Sequence, residues 1–244
     1  MLRAHSVEGG RNGAPGASRG CTRPLPMRRL PPVLPALLAV ALAACASESA
    51  VPEGPAPGFA IAPAEADTAV FAGGCFWCME KPFETVDGVA SVVSGFAGGT
   101  VPNPTYDQVA SKQTGHYEVV QVIYDPDVVD YETLLRVYWP NVDPLDDEGQ
   151  FCDRGSPYRP AVFVSTPEER AAAEASKQAV QERFSQPVVV PVLDAAPFYA
   201  AEDYHQDFYR TNPGRYQSYR AGCRRDARLR ELWGDEAGLT GDAL

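Results

Sequence analysis

Short runs of β-branched and aromatic residues that alternate with helical stretches predict an α+β fold, with one layer of sheet covered by helices. Three observations carry that expectation. Runs such as DTAVFAGG from Asp67 are rich in strand formers and stop at glycine. The stretch TPEERAAAEASKQAVQERF opens with Thr166, Pro167 and acidic residues, which make a helix cap and first turn. Beyond residue 66 there is neither an internal repeat nor a long apolar run.

DTAVFAGG reads as a strand, and FWCMEKPFETV behind it as a helix interrupted early by Pro82. GVASVVSGFAGG returns to β-branched alternation from Gly88 to Phe96. Residues 100–114 are turn-rich, with Pro102, Asn103 and Pro104 in succession, and lead into GHYEVVQVIYDP, a strand with Glu118 near its start. DYETLLRVYWPNVDP places Leu134, Leu135, Tyr138 and Trp139 on one helical face and ends at Pro140. A long polar loop, DDEGQFCDRGSPYRP, precedes a strand from Ala161 to Ser165. The helix from Thr166 then runs to Phe184, and PVVVPVL is a further strand. After Asp194 the chain is aromatic and polar without strand alternation, and RDARLRELWG suits a last helical turn or two.

The first 66 residues have a different character. Ten of the 23 prolines precede Ala66, which marks residues 1–44 as leader, 45–66 as flexible linker and 67–244 as the folded domain. MRRLPPVLPALLAVALAACASES has two arginines, an apolar run too short for a span of about 20 residues, and small residues before Cys45. This is the pattern of an export signal, and Leu42-Ala43-Ala44-Cys45 resembles a lipoprotein lipobox. The expectation is translation from Met27, a lipid on Cys45, and a domain working in the bacterial cell envelope on the periplasmic side. An ordinary cleaved secretory signal is the alternative. Without residues 1–44 the chain has 15 basic against 31 acidic side chains, a net charge of −16, so a nucleic-acid partner is excluded on electrostatic grounds.

Four cysteines fall in the domain: Cys75, Cys78, Cys152 and Cys223. In an oxidising compartment they allow two structural disulfides in three pairings. Structural zinc needs a second ligand pair, which Cys152, Cys223, His116 and His205 do not supply at metal-ligand spacing, so no metal is expected. Cys75-x-x-Cys78 at a helix start also suits a general dithiol–disulfide oxidoreductase, although Phe76 and Trp77 are bulky for a protein-docking surface. The remaining possibility is Cys75 alone as a nucleophile, its thiolate favoured by the helix start and its surroundings opened by Gly73 and Gly74.

GGCFWCMEKPFETVDGV, SGFAGGTVPNPTYDQV, TGHYEVVQVIYDP and DRGSPYRPAVF resemble, in order and spacing, the successive motifs of the A-type peptide methionine sulfoxide reductases, over about Thr68 to Pro213. That resemblance implies a two-layer α/β sandwich with a ferredoxin-like core and long loops. It implies reduction of methionine-S-sulfoxide, free or in proteins, through a sulfenic acid on Cys75 and then a disulfide. Phe76 and Trp77 would hold the substrate's S-methyl group. Glu118 would be the acid, its proton retained by desolvation, while Tyr106 and Tyr158 hold the oxygen and Asp153 lines the site. Cys223 would resolve the sulfenic acid, with Cys78 a direct alternative or a relay and Cys152 a third participant or a bystander. No flavin, nicotinamide or metal motif is visible, so the reductant is an external thioredoxin-like dithiol, and the protein is expected to be a monomer.

Overall fold

The structure is a computed structural model that describes residues 65–244. The leader, Cys45 and nearly all of the linker lie outside those residues. The chain runs β1 (Asp67–Gly73), α1 (Trp77–Glu84), β2 (Val89–Ala97), α2 (Tyr106–Ala110), β3 (Tyr117–Tyr124) and α3 (Tyr131–Tyr138). It continues through β4 (Gly149–Gln150), β5 (Asp153–Arg154), β6 (Pro160–Val164), α4 (Pro167–Gln181), β7 (Val192–Asp194) and β8 (Tyr199–Ala200). Three helices close it: α5 (Phe208–Thr211), α6 (Pro213–Gly222) and α7 (Arg225–Trp233).

The main sheet has the order β7-β6-β1-β3-β2-β8, and β4 and β5 form a separate small ladder. Its four central strands, β6-β1-β3-β2, are antiparallel neighbours, with α1 joining β1 to β2 and α3 lying between β3 and β6. This is the split βαβ arrangement of a ferredoxin-like core, as the resemblance implied. Period-two alternation sorts the side chains. Ala69 and Phe71 of β1, Val120 and Val122 of β3, and Val162 and Val164 of β6 join the core shared with Phe83, Leu134, Leu135 and Ala173 of the helices. Ala72, Val119, Ala161 and Phe163 point to the opposite face, where Leu193, Ala196 and Phe198 pack against them.

Several expectations need correction. α1 continues through Pro82 to Glu84 instead of stopping early. The turn-rich segment holds α2, nucleated by a capping box in which Thr105 and Gln108 satisfy each other's backbone amides. PVVVPVL is a strand only from Val192, because Pro187 and Pro191 have no N–H to place in a ladder, and Val189 N–H donates instead to Pro144 O at 2.9 Å. The aromatic tail carries α6, and RDARLRELWG forms a nine-residue helix.

Glu80 fastens this tail to the core. Fully buried, its Oε1 accepts from Ser94 Oγ at 2.8 Å and from the Asp207 amide at 3.2 Å. Burial, only partly offset by the Ser94 hydrogen bond, pushes its carboxyl up to about 8. A carboxyl raised in the folded state contributes its stability in full below its ordinary value and loses it as pH rises through about 8. Relative to Glu80→Gln, the wild-type chain is therefore expected to lose about 2–4 kcal/mol between pH 5 and 9. Denaturant unfolding of both proteins across that range checks it, and parallel pH profiles would contradict it.

Candidate active site

The site grows from the turn between β1 and α1. Gly74 has φ +83°, and a Cβ there would lie 2.5 Å from Gln150 Cβ; one on Gly73 would meet Met79 Sδ at 2.5 Å. The glycine pair, expected to let another backbone or a substrate come close, admits the side chains of Met79 and Gln150. Tight closure there delivers Cys75 to the residue before the cap of α1 and Cys78 into its first turn, with Cys78 N–H donating to Cys75 O at 3.0 Å.

Both thiols are free and buried, and their ionisations are coupled. Cys75 is 7% exposed and Cys78 1%. The expected helix-start thiolate on Cys75 is not what this environment favours. Desolvation, then its neighbour Cys78, and then the negative charges of Glu118 and Asp153 push the Cys75 thiol up. Cys78 moves the other way, to about 6, chiefly because Cys75 donates to it, helped by Arg225 and Arg220 and opposed by burial. The two thiols thus titrate as one coupled pair, with ionisation discouraged on Cys75 and favoured on Cys78.

Glu118 sits at the end of the helix-facing side of β3, in register with Phe96. It is 2% exposed, and its Oε2 accepts from the Phe76 amide at 3.1 Å. Desolvation raises it to about 8, with Asp153 and Cys78 adding to the rise, so it is a protonated acid at neutral pH whose other oxygen is available to donate. Burial holds the Tyr106 and Tyr158 phenols protonated, Tyr106 up to about 12. Both feel the charges of Glu118, Cys75 and Asp153, so these five groups share one place. Asp153 accepts from Tyr219 Oη and is raised by burial.

Phe76 is 1% exposed and packs on Phe96 and His205, with ring centroids at 5.9 and 5.0 Å, so it backs the site. Trp77 is only part-buried. Its indole stacks on Phe208 at 3.7 Å and its Nε1–H donates to His205 Nδ1 at 3.0 Å. Cys223, a candidate resolving thiol, is instead disulfide-bonded to Cys152, with their Cα atoms 4.9 Å apart. Among the described residues, the one cluster of three metal-capable groups is Cys152, Asp153 and Cys223, and its two sulfurs are spent in that bond. The disulfide spans 71 residues and restrains the unfolded chain by about 4 kcal/mol on loop entropy.

His205, Phe208, Tyr219 and Arg225 are site residues that reading the sequence missed, all from the C-terminal segment. His205 stood out there only for lacking metal-ligand spacing. The largest groove described, about 730 Å³ between α3, α4 and the C-terminal residues, includes none of the site residues.

A buried, coupled dithiol beside a protonated carboxyl and two neutral phenols defines a thiol-based oxidoreductase. Similarity to known proteins narrows the class. The family model for peptide methionine sulfoxide reductase matches residues 67–237, and the chain belongs to that family. It is 51% identical over 170 residues to peptide methionine sulfoxide reductase MsrA of Bacillus subtilis, covering 69% of this chain and 96% of that protein. The Ligilactobacillus salivarius protein of the same name is 52% identical over 164 residues, 66% of this chain and 95% of that one. Among solved structures, methionine sulfoxide reductase A of Corynebacterium diphtheriae aligns with a TM-score of 0.56 at 30% identity, over 61% of this chain and 76% of that one. Reduced Mxr1 of Saccharomyces cerevisiae aligns with a TM-score of 0.59 at 27% identity, over 63% and 89%.

Proposed function

We propose that this chain reduces the S epimer of methionine sulfoxide, free or in proteins, to methionine. The observation that carries the reading is a free, buried Cys75 with a second free thiol three residues on, and with Glu118 held against the next residue by the Phe76 amide at 3.1 Å. Cys75 gives up its proton to the Cys78 anion as its sulfur attacks the sulfoxide sulfur. Glu118 protonates the sulfoxide oxygen, with Tyr106 and Tyr158 donating to it, and Trp77 flanks the methyl group. The oxygen then passes to Cys75 as the substrate sulfur's bonds to oxygen and to Cys75 break, which leaves a sulfenic acid on Cys75 and releases the thioether.

Cys78 is the nearest thiol and the resolving candidate. Its sulfur attacks the sulfenic sulfur, the S–S bond forms, the S–O bond breaks, and the oxygen leaves as water. An external thioredoxin-like dithiol then attacks at Cys75, the more accessible sulfur, and Cys78, a low-pKa thiol, is the better leaving group. The rival reading, general disulfide exchange, fares worse because it gives no role to the protonated Glu118 held beside Cys75. One turnover with methionine sulfoxide should leave wild type with a Cys75–Cys78 disulfide, and Cys78→Ser with a trapped sulfenic acid one oxygen heavier. Cys75→Ser should yield no methionine. A disulfide from Cys75 to any other cysteine would remove Cys78 from the mechanism.

Glu118→Gln is expected to slow oxygen transfer by about 10²–10⁴-fold without loss of fold. The wild-type single-turnover rate should fall as pH rises through about 8; a flat profile there would reject Glu118 as the acid. The signal-like segment before Cys45 supports an exported, lipid-anchored form at the periplasmic side of the envelope. Labelled fatty acid should be incorporated by the wild-type chain and not by Cys45→Ser, and no incorporation by either would overturn the anchor.

A further inference from the structure

Arg225 is 2% exposed, and among the described residues it enters no ion pair. Its Nη2 donates to Asn141 O at 2.6 Å, to Gly73 O at 3.2 Å and to Met79 Sδ at 3.2 Å, all neutral acceptors. Its Nε has no partner, and the guanidinium lies 4.3 Å from the Phe151 ring centroid. A Cβ built on Gly74 would be 3.7 Å from Nη1, so the cation sits directly beneath the Gly73–Gly74 turn that carries the two sulfurs. A buried full charge is expensive unless an opposite charge answers it.

We propose that Arg225 is the built-in counter-charge of the Cys75–Cys78 pair, a positioning residue that keeps one of the two sulfurs ionised in the reduced protein. The proposal rests on the function assigned above but concerns the resting dithiol.

The charges around the pair leave Arg225 that role. From the turn comes Cys75 itself, from β3 Glu118, from β5 Asp153, from α6 Tyr216, Tyr219 and Arg220, and from α7 Arg225. Glu118 is protonated below about 8, and burial keeps the two phenols neutral. Arg220 is paired with Asp226 at 2.7 Å. Asp153 opposes the anion, although Arg225 favours its ionisation too. That leaves Arg225 as the cation beside the pair that enters no ion pair and favours the ionisation of Cys78. The chain arranges this with one sharp turn: Arg224, in the left-handed region at φ 55°, follows disulfide-bonded Cys223 and turns the next residue inward.

Ultraviolet thiolate absorbance of the full chain, followed against pH with the outer disulfide intact, tests this. The Cys75→Ser, Cys78→Ser double variant serves as the blank for Cys21 and Cys45. Wild type should gain one thiolate with a midpoint near 6. Arg225→Lys, which retains the charge, should titrate close to it. Arg225→Gln, which retains a donor without charge, should titrate at least about one pH unit higher, about tenfold less thiolate at a given pH below the midpoint. Coincident Gln and wild-type curves overturn the proposal. Should Arg225→Gln fail to fold, the wild-type curve decides, because an inner pair still fully protonated at neutral pH also overturns it. Sulfoxide reduction by the same wild-type sample is scored separately, so a failed titration beside intact turnover sinks the counter-charge and leaves the function standing.

Discussion

The site depends on two buried thiols, three residues apart at the start of α1, whose ionisations are coupled. Burial alone would leave both thiols neutral and slow to react. Coupling changes that, because it favours ionisation at Cys78 while it discourages it at Cys75. Glu118 follows the opposite logic. The same dry surroundings that discourage charge keep its proton in place for delivery to oxygen. One pocket thus holds an ionised thiol and a neutral acid at the same pH.

The scaffold explains why these groups converge. In a ferredoxin-like core the strand ends beside β1 and β3 lie together, so the turn after Gly73 and the start of β3 are neighbours despite the 42 residues between Phe76 and Glu118. The C-terminal segment then closes over them. Phe208 stacks on Trp77, Tyr219 reaches Asp153, and the Cys152–Cys223 disulfide ties the end of α6 to the strand that carries Asp153.

What was legible in the sequence divides along the same line. β1, β2, β3 and β6 announce themselves by local alternation, and the first turn of α4 by its cap, because neighbouring residues decide them. The glycine pair and the two cysteines could be read physically as a reactive turn. Glu118, Tyr106, Tyr158 and Asp153 were legible only through resemblance, since nothing local distinguishes a strand glutamate at the surface from one under Phe76. His205 and Arg225 escaped because their importance lies in contacts across 128 and 152 residues. The partner of Cys223 escaped for a simpler reason: spacing does not choose among pairings, and only the fold brings Cys152 within reach.

The two outermost strands are stubs, three residues in β7 and two in β8, and prolines at 187, 191 and 197 interrupt the chain around them. A longer, bare margin would offer unpaired amides and carbonyls to any extended polypeptide nearby. Blunt margins of this kind leave little backbone on which another extended chain could pair.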